Sequence, residues 1–261
     1  MHSLLALPHG DIHLWLSFYN EITDERLLTH YRELLVEEER EREQRFYFSR
    51  DRHRYLVTRA MVRTVLSRYA LIGPASWLFS VGAYGRPEIA NVESRSQCLS
   101  FNISHTQDLI VLGVTKRRAL GVDVENVLEH EVAIDIADHF FSREEVAALA
   151  LVPVHQRKHR FFEYWTFKEA YIKARGMGLS LPLDKFSFHY PEEATVDIAI
   201  HPELGDASSR WQLWQFRPNS RFLIAVCAER IGARPCSVTV RRIVPAVEDE
   251  VLDLIPTKNS R

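Results

Sequence analysis

The strongest constraint on this chain is an order of elements that occurs twice. Residues 24–70 read as helices. ERLLTHYRELL carries apolar residues at helical spacing, VEEEREREQRFYF continues as a charged helix, and DRHRYLVTRAMVRTVLSRYAL is strongly amphipathic. Tyr55, Leu56, Ala60, Val62 and Leu66 fall on the apolar face of that third segment, and Gly73-Pro74 stops it. Strand-like pieces follow: LFSV, CLSFNISHT and LIVLGVT. From residue 141 the order returns. FSREEVAALA is a helix with Ser142 and Glu145 spaced as a capping box, and HRFFEYWTFKEAYIKARG is a long helix ended by Gly176. KFSFHY, TVDIAIH, WQLWQF and RFLIAVCAE then read as strands. A duplicated α+β unit is expected, with a first half over 1–118, a second over 119–245 and a polar tail over 246–261. The join falls near TKRRALG, residues 115–121.

Net charge is -2, so no global field recruits nucleic acid or an anionic membrane. No run approaches 18 apolar residues, so no membrane span is expected, and MHSLLALPHGD lacks the features of a signal peptide. Cys98, Cys227 and Cys236 are widely spaced and odd in number, which suggests neither a disulfide framework nor a zinc site. A cytoplasmic location fits.

The segment ALGVDVE, 119–125, reads as an apolar strand, yet it carries Asp123 and Glu125 on one face. In the long helix, Glu169 and Lys173 are four apart and share a face. Each feature has a plain reading alone: solvated acids on an edge strand, and a surface ion pair. Together, three carboxylates on two rigid elements with a lysine one turn on suit a hard divalent cation such as Mg²⁺. The lysine would then neutralise a phosphate, which implies displacement at phosphorus.

No phosphate-binding glycine loop of the G-x-x-x-x-G-K-[ST] or G-x-G-x-x-G type is present. The first half instead offers Arg40, Arg42, Arg45, Arg50, Arg52, Arg54, Arg59 and Arg63, most of them expected on a solvated helix face. AYGRPEI sets Arg86 in a turn suited to reach over a ligand. FNISHT places Ser104 and His105 at a strand end, where neighbours face opposite ways and form no nucleophilic dyad. EHEVAI has Ile134 where an H-E-x-x-H site needs its second histidine, and His155 with His159 lacks a third ligand nearby.

GVDVE followed by WTFKEAYIKARGMGLSLPL resembles the signature pair of the Sfp-type 4′-phosphopantetheinyl transferases, a G-x-D-x-E strand and a W-x-x-K-E helix. FNISH, YGRP and RFYFSRDRHRYLVTRAMVR resemble further motifs of that family, so the likeness runs from about residue 39 to 190. It implies a pseudo-duplicated α+β fold with the active site at the interface of the halves. It also implies transfer of the 4′-phosphopantetheine arm of coenzyme A to a serine of an apo acyl or peptidyl carrier protein, with release of 3′,5′-ADP. By the same resemblance Asp123, Glu125 and Glu169 are the acids of a Mg²⁺ site, and Glu169 and Lys173 are catalytic. Arg42, Arg86, Ser104, His105, Lys168 and Lys173 are the coenzyme A contacts. Glu39 stands where some relatives carry a lysine, and Tyr55 where relatives have a small hydroxyl residue.

In the mechanism this implies, the carrier serine attacks the β-phosphorus and loses its proton to Glu169, directly or through water. Met177, Leu179 and Leu181 are candidates for touching the carrier, and equally for cap and core packing. A monomer is expected, with no nucleic acid or membrane partner. Two other readings use the same residues: a Mg²⁺-dependent phosphodiesterase, and a non-catalytic coenzyme A or carrier binder.

Overall fold

The structure is a computed structural model that describes residues 4–92, 98–129, 137–232 and 236–260, with the side chains of Asp138 and Leu179 excepted. The chain forms two compact units. Unit one comprises Met1–Phe101, Asp108–Arg117 and Cys236–Leu252, and unit two comprises Asn102–Gln107, Arg118–Pro235 and Asp253–Arg261.

In chain order the elements begin with β1 (Ile12–Ser17), α1 (Glu25–Leu34), α2 (Glu37–Arg45) and α3 (Ser49–Leu66). They continue with β2 (Phe79–Val81), β3 (Pro87–Ile89), β4 (Leu99–Thr106), β5 (Leu109–Lys116) and β6 (Leu120–Asn126). Then come α4 (Ala137–Phe140), α5 (Arg143–Leu151), α6 (Val154–Arg175), β7 (Phe186–His189) and β8 (Asp197–Ile200). The last strands are β9 (Trp211–Phe216), β10 (Phe222–Glu229), β11 (Val238–Val244), β12 (Glu248–Leu252) and β13 (Lys258–Asn259).

In unit one, β12, β11, β1 and β5 are neighbours in that order. Strand β11 joins β1 in parallel, pairing Leu14 with Val240, although more than two hundred residues separate them. The expected apolar face of α3 is present: Leu56, Ala60, Val62 and Leu66 are buried, while Tyr55 is half-buried with its ring against Phe46. The arginines of this segment are not uniformly solvated. Arg63 is 1% exposed, and its guanidinium donates to Glu39 and to the carbonyls of Pro74 and Trp77. Arg59 also pairs with Glu39, so two guanidinia of α3 hold one buried carboxylate of α2.

Unit two repeats the plan with a sheet in the order β13-β9-β10-β6 and the long helix α6. Its core joins α6 residues Phe161, Phe167, Ala170 and Tyr171 to Phe186, Phe188, Trp211 and Leu223. Both helix signals take the geometry their sequence implies. Ser142 and Glu145 form the reciprocal capping box of α5, and Gly176 closes α6 in the left-handed region at φ 67°. The stretch expected as a polar tail holds β12 and β13. Lys258 of β13 is buried, donates to the Glu193 carbonyl and pairs with Glu163.

A buried histidine in unit one gives the fold a pH dependence. His13 lies within hydrogen-bond reach of the Tyr69 hydroxyl, which itself accepts from the Trp15 indole, so that hydroxyl donates to a neutral imidazole nitrogen. Burial, helped by Arg241 and opposed by Asp11, pushes the His13 pKa down to about 4. The unfolded chain therefore binds a proton near pH 6.5 that the folded chain takes up only near pH 4. Stability should fall as pH drops through that window, by about 3 kcal/mol from this group. Urea midpoints at pH 7 and pH 4 should converge for His13→Gln relative to the parent; an equal drop in both proteins would contradict this origin.

Candidate functional site

Strand β6 is apolar except at Asp123, Glu125 and Asn126, and it runs beneath α6. At Gly121 the helix backbone rests on the strand. A Cβ there would stand 1.9 Å from the Ala170 carbonyl oxygen and 2.4 Å from the Ala174 amide nitrogen. The strand period of two places Asp123 and Glu125 on the same face as Gly121, against α6. On the helix, Trp165, Glu169 and Lys173 follow at intervals of four and share a face.

Asp123 is buried. Its Oδ1 accepts from Lys173 Nζ at 2.7 Å and from Ser104 Oγ at 3.0 Å. Lys173 Nζ also donates to Ser104 Oγ at 3.0 Å. The other oxygen, Oδ2, is buried without a hydrogen-bond partner. Glu125 Oε1 accepts from the Trp165 indole nitrogen at 3.1 Å. Burial first, and the Asp123 charge second, push the Glu125 pKa up to about 7, with the Trp165 hydrogen bond and Lys173 pulling the other way. Glu169 is half-buried, and burial and Asp123 raise its pKa against the pull of Lys173. The three acids thus feel one another's charge. Among the described residues, no group of three or more His, Cys, Asp or Glu side chains is drawn close enough to hold a metal ion.

The four remaining expected coenzyme A contacts sit in different surroundings. Ser104 is buried beside Asp123, whereas His105, next to it on β4, is exposed. Arg86 belongs to unit one, where it is half-buried, donates to the Phe101 carbonyl at 3.3 Å and has its pKa lowered by burial. Arg42, also in unit one, is exposed on α2 with its guanidinium 5.8 Å from the Tyr55 ring centre.

Lys168 departs from the expectation of a coenzyme A contact. It is buried, and its ammonium is consumed within unit two by the carbonyls of Leu183 and Phe186, each at 2.7 Å, and by Glu145 at 2.8 Å. An ammonium has three protons to donate, and these partners use all three. Glu145 is held as firmly: it caps α5 through the Ser142 amide and accepts from the Phe188 amide. The pair fastens α5, α6 and the segment leading into β7.

Among the candidates for carrier contact, Leu181 is core, with 2% exposure, and Met177 packs partly buried against the same cluster. The side chain of Leu179 and the stretch HEVAI, residues 130–134, lie outside the described residues. His159 faces Glu163 at 3.4 Å and hydrogen-bonds Arg217, so it belongs to an ion-pair group and not to a histidine pair. Glu39, expected at a position of difference from the family, is the carboxylate that Arg59 and Arg63 hold.

Sequence reasoning missed Gly121 as a contact point, Trp165 as a donor, and Asn102, whose Oδ1 accepts from the Val122 amide at 2.8 Å. A signal existed for Trp165, because the indole N–H of a partly buried tryptophan usually finds an acceptor.

Comparison with known proteins matches residues 119–227 to the 4′-phosphopantetheinyl transferase superfamily, and residues 23–117 to the family described as 4′-phosphopantetheinyl transferase, N-terminal. A 4′-phosphopantetheinyl transferase of Bacillus subtilis is 35% identical over 191 residues, covering 73% of this chain and 80% of the relative. The transferase Sfp of Bacillus subtilis strain 168 is 32% identical over the same shares. HetI of Nostoc sp. strain PCC 7120 is 29% identical over 88% of this chain and 93% of its own length. Among solved structures, the holo-[acyl-carrier-protein] synthase of Thermotoga maritima aligns with a TM-score of 0.35 at 17% identity, covering 53% of this chain and 84% of that one. The chain belongs to the 4′-phosphopantetheinyl transferase superfamily and is a transferase enzyme.

Two substitutions test this construction. Gly121→Ala forces the added carbon into helix backbone, which cannot step aside as a side chain can, and should cost about 3 kcal/mol or more. Lys168→Met strands the buried Glu145 carboxylate and should cost about 3–5 kcal/mol. Adding Glu145→Gln to it should restore part of that loss in urea unfolding. A Lys168→Met protein of unchanged stability but weakened coenzyme A binding would return Lys168 to the ligand.

Proposed function

We propose that this protein transfers the 4′-phosphopantetheine arm of coenzyme A to a serine of an apo acyl or peptidyl carrier protein and releases 3′,5′-ADP, with Mg²⁺ held by Asp123, Glu125 and Glu169. The observation that carries the metal assignment is the buried Asp123 Oδ2 with no partner, on a carboxylate whose charge raises the pKa of both Glu125 and Glu169. An unpaired buried carboxylate oxygen is costly, and an all-oxygen donor set fits a hard cation. When bound, Mg²⁺ supplies charge neutralisation for the diphosphate.

The chain's own residues account for the rest. The carrier serine oxygen forms a bond to the β-phosphorus as the bond from that phosphorus to the bridging oxygen breaks. The serine proton passes to Glu169, directly or through water, and a raised pKa suits a base that must take up a proton. Lys173 offsets charge on the departing 3′,5′-ADP. Its contact with Asp123 Oδ1 keeps the ammonium within this group of acids. Ser104 orients Asp123 through its hydroxyl. Arg42, Arg86 and His105 are proposed as coenzyme A contacts on the family resemblance alone. A monomer in the cytoplasm completes the reading. Among the described residues no helix is long and apolar enough to cross a membrane.

The test is the intact mass of an apo carrier protein after incubation with this protein, coenzyme A and Mg²⁺. A gain of one phosphopantetheine that disappears with chelator is expected. Asp123→Ala and Glu169→Ala should each lose about a hundredfold or more in rate while remaining folded. Near-parental turnover in either variant would overturn the assignment of that residue.

A further inference from the structure

Each strand acid has one oxygen engaged by a protein donor. Asp123 Oδ1 is held by Ser104 and Lys173, and Glu125 Oε1 is held by the Trp165 indole at 3.1 Å. Among the described residues the Trp165 bond is the only hydrogen bond to the Glu125 carboxylate. The donor is itself immobilised. The Trp165 ring lies parallel to Phe161 within 11° at 6.3 Å between centroids, and Phe140 meets it edge-on at 5.4 Å. It projects from a 22-residue helix that is anchored to β6 at Gly121.

A glutamate has three side-chain torsions to freeze, and freezing them costs side-chain entropy. Here a rigid aromatic donor meets that cost during folding, so the carboxylate is oriented before any ligand arrives. The neutral N–H also stabilises the carboxylate without competing as a cation, unlike the lysine on Asp123.

We infer that Trp165 is a positioning residue that fixes Glu125 Oε1 through its indole N–H and leaves Oε2 as the oxygen offered to a divalent cation. This rests on the assignment of Asp123, Glu125 and Glu169 as metal ligands. It gives the tryptophan a function in cation affinity beyond packing.

The experiment titrates Mn²⁺ into the full-length parent, Trp165→Phe and Asp123→Ala proteins by calorimetry. It also follows the Mg²⁺ dependence of transfer. Trp165→Phe keeps a ring between Phe140 and Phe161 and removes the donor. Its Kd for Mn²⁺ should rise roughly tenfold, and its lost activity should return at high Mg²⁺, with kcat little changed. If Asp123→Ala abolishes Mn²⁺ binding while Trp165→Phe binds as the parent does, the positioning inference is wrong and the metal site stands. If neither substitution changes binding, the metal assignment fails as well. Should Trp165→Phe not fold, the parent protein labelled with ¹⁵N-tryptophan serves instead. It contains five tryptophans. One indole N–H signal should shift on adding Mg²⁺, and Asp123→Ala should abolish that shift. Mg²⁺ binding with no indole signal moved would equally overturn the inference.

Discussion

The contact at Gly121 organises the whole of the candidate site. Helices usually lie about a side chain's thickness above a sheet, and here the helix backbone rests on the strand backbone. A single methyl group would stand 1.9 Å from the Ala170 oxygen. That closeness lets short acids of β6 reach residues of α6. Asp123, two residues on, meets Lys173, and Glu125, four residues on, meets Trp165. The glycine of the G-x-D-x-E pattern therefore sets the height at which the acids meet the helix.

Buried ion pairs fix helices in both units. In unit two, Lys168 and Glu145 tie α5, α6 and the approach to β7 into one body. In unit one, Arg63 and Arg59 hold Glu39 between α3 and α2. Charges removed from water cost several kcal/mol unless fully paired. Both arrangements meet that demand with added backbone acceptors or donors, at the Leu183, Phe186, Pro74 and Trp77 carbonyls and the Phe188 amide. Such pairs are poor sources of net stability but tolerate few alternative arrangements. In unit two that property suits the support of α6, whose Glu169 feels the charge of Asp123.

Much of this was legible in the chain because the local periods are strict. A strand repeats every two residues, so Asp123 and Glu125 had to share a face. A helix brings residues four apart together, so Glu169 and Lys173 had to as well. The Ser142 box and the Gly176 cap depend on a few neighbouring residues and appeared as read. Lys168, expected as a ligand contact, pairs internally with Glu145, and its helical neighbours Phe161, Tyr164, Tyr171 and Ile172 form the apolar stripe into which it falls. Most of the first-half arginines are solvated as read, but Arg59 and Arg63 are not, since composition cannot tell a solvated guanidinium from one that binds a carboxylate twenty-four residues away. The pairing of β11 with β1, and the anchoring of Lys258, depend on contacts far apart in sequence, for which no local pattern exists.

We propose that Asp123 and Glu125 of β6 and Glu169 of α6 hold the cation of a phosphopantetheinyl transferase. A crystal of the protein grown with coenzyme A and Mn²⁺, read for anomalous scattering, tests it most directly. The account predicts one strong peak within coordination distance of carboxylate oxygens from Asp123, Glu125 and Glu169, with the diphosphate completing the shell. A peak bound elsewhere, with these three acids untouched while coenzyme A is in place, would contradict it.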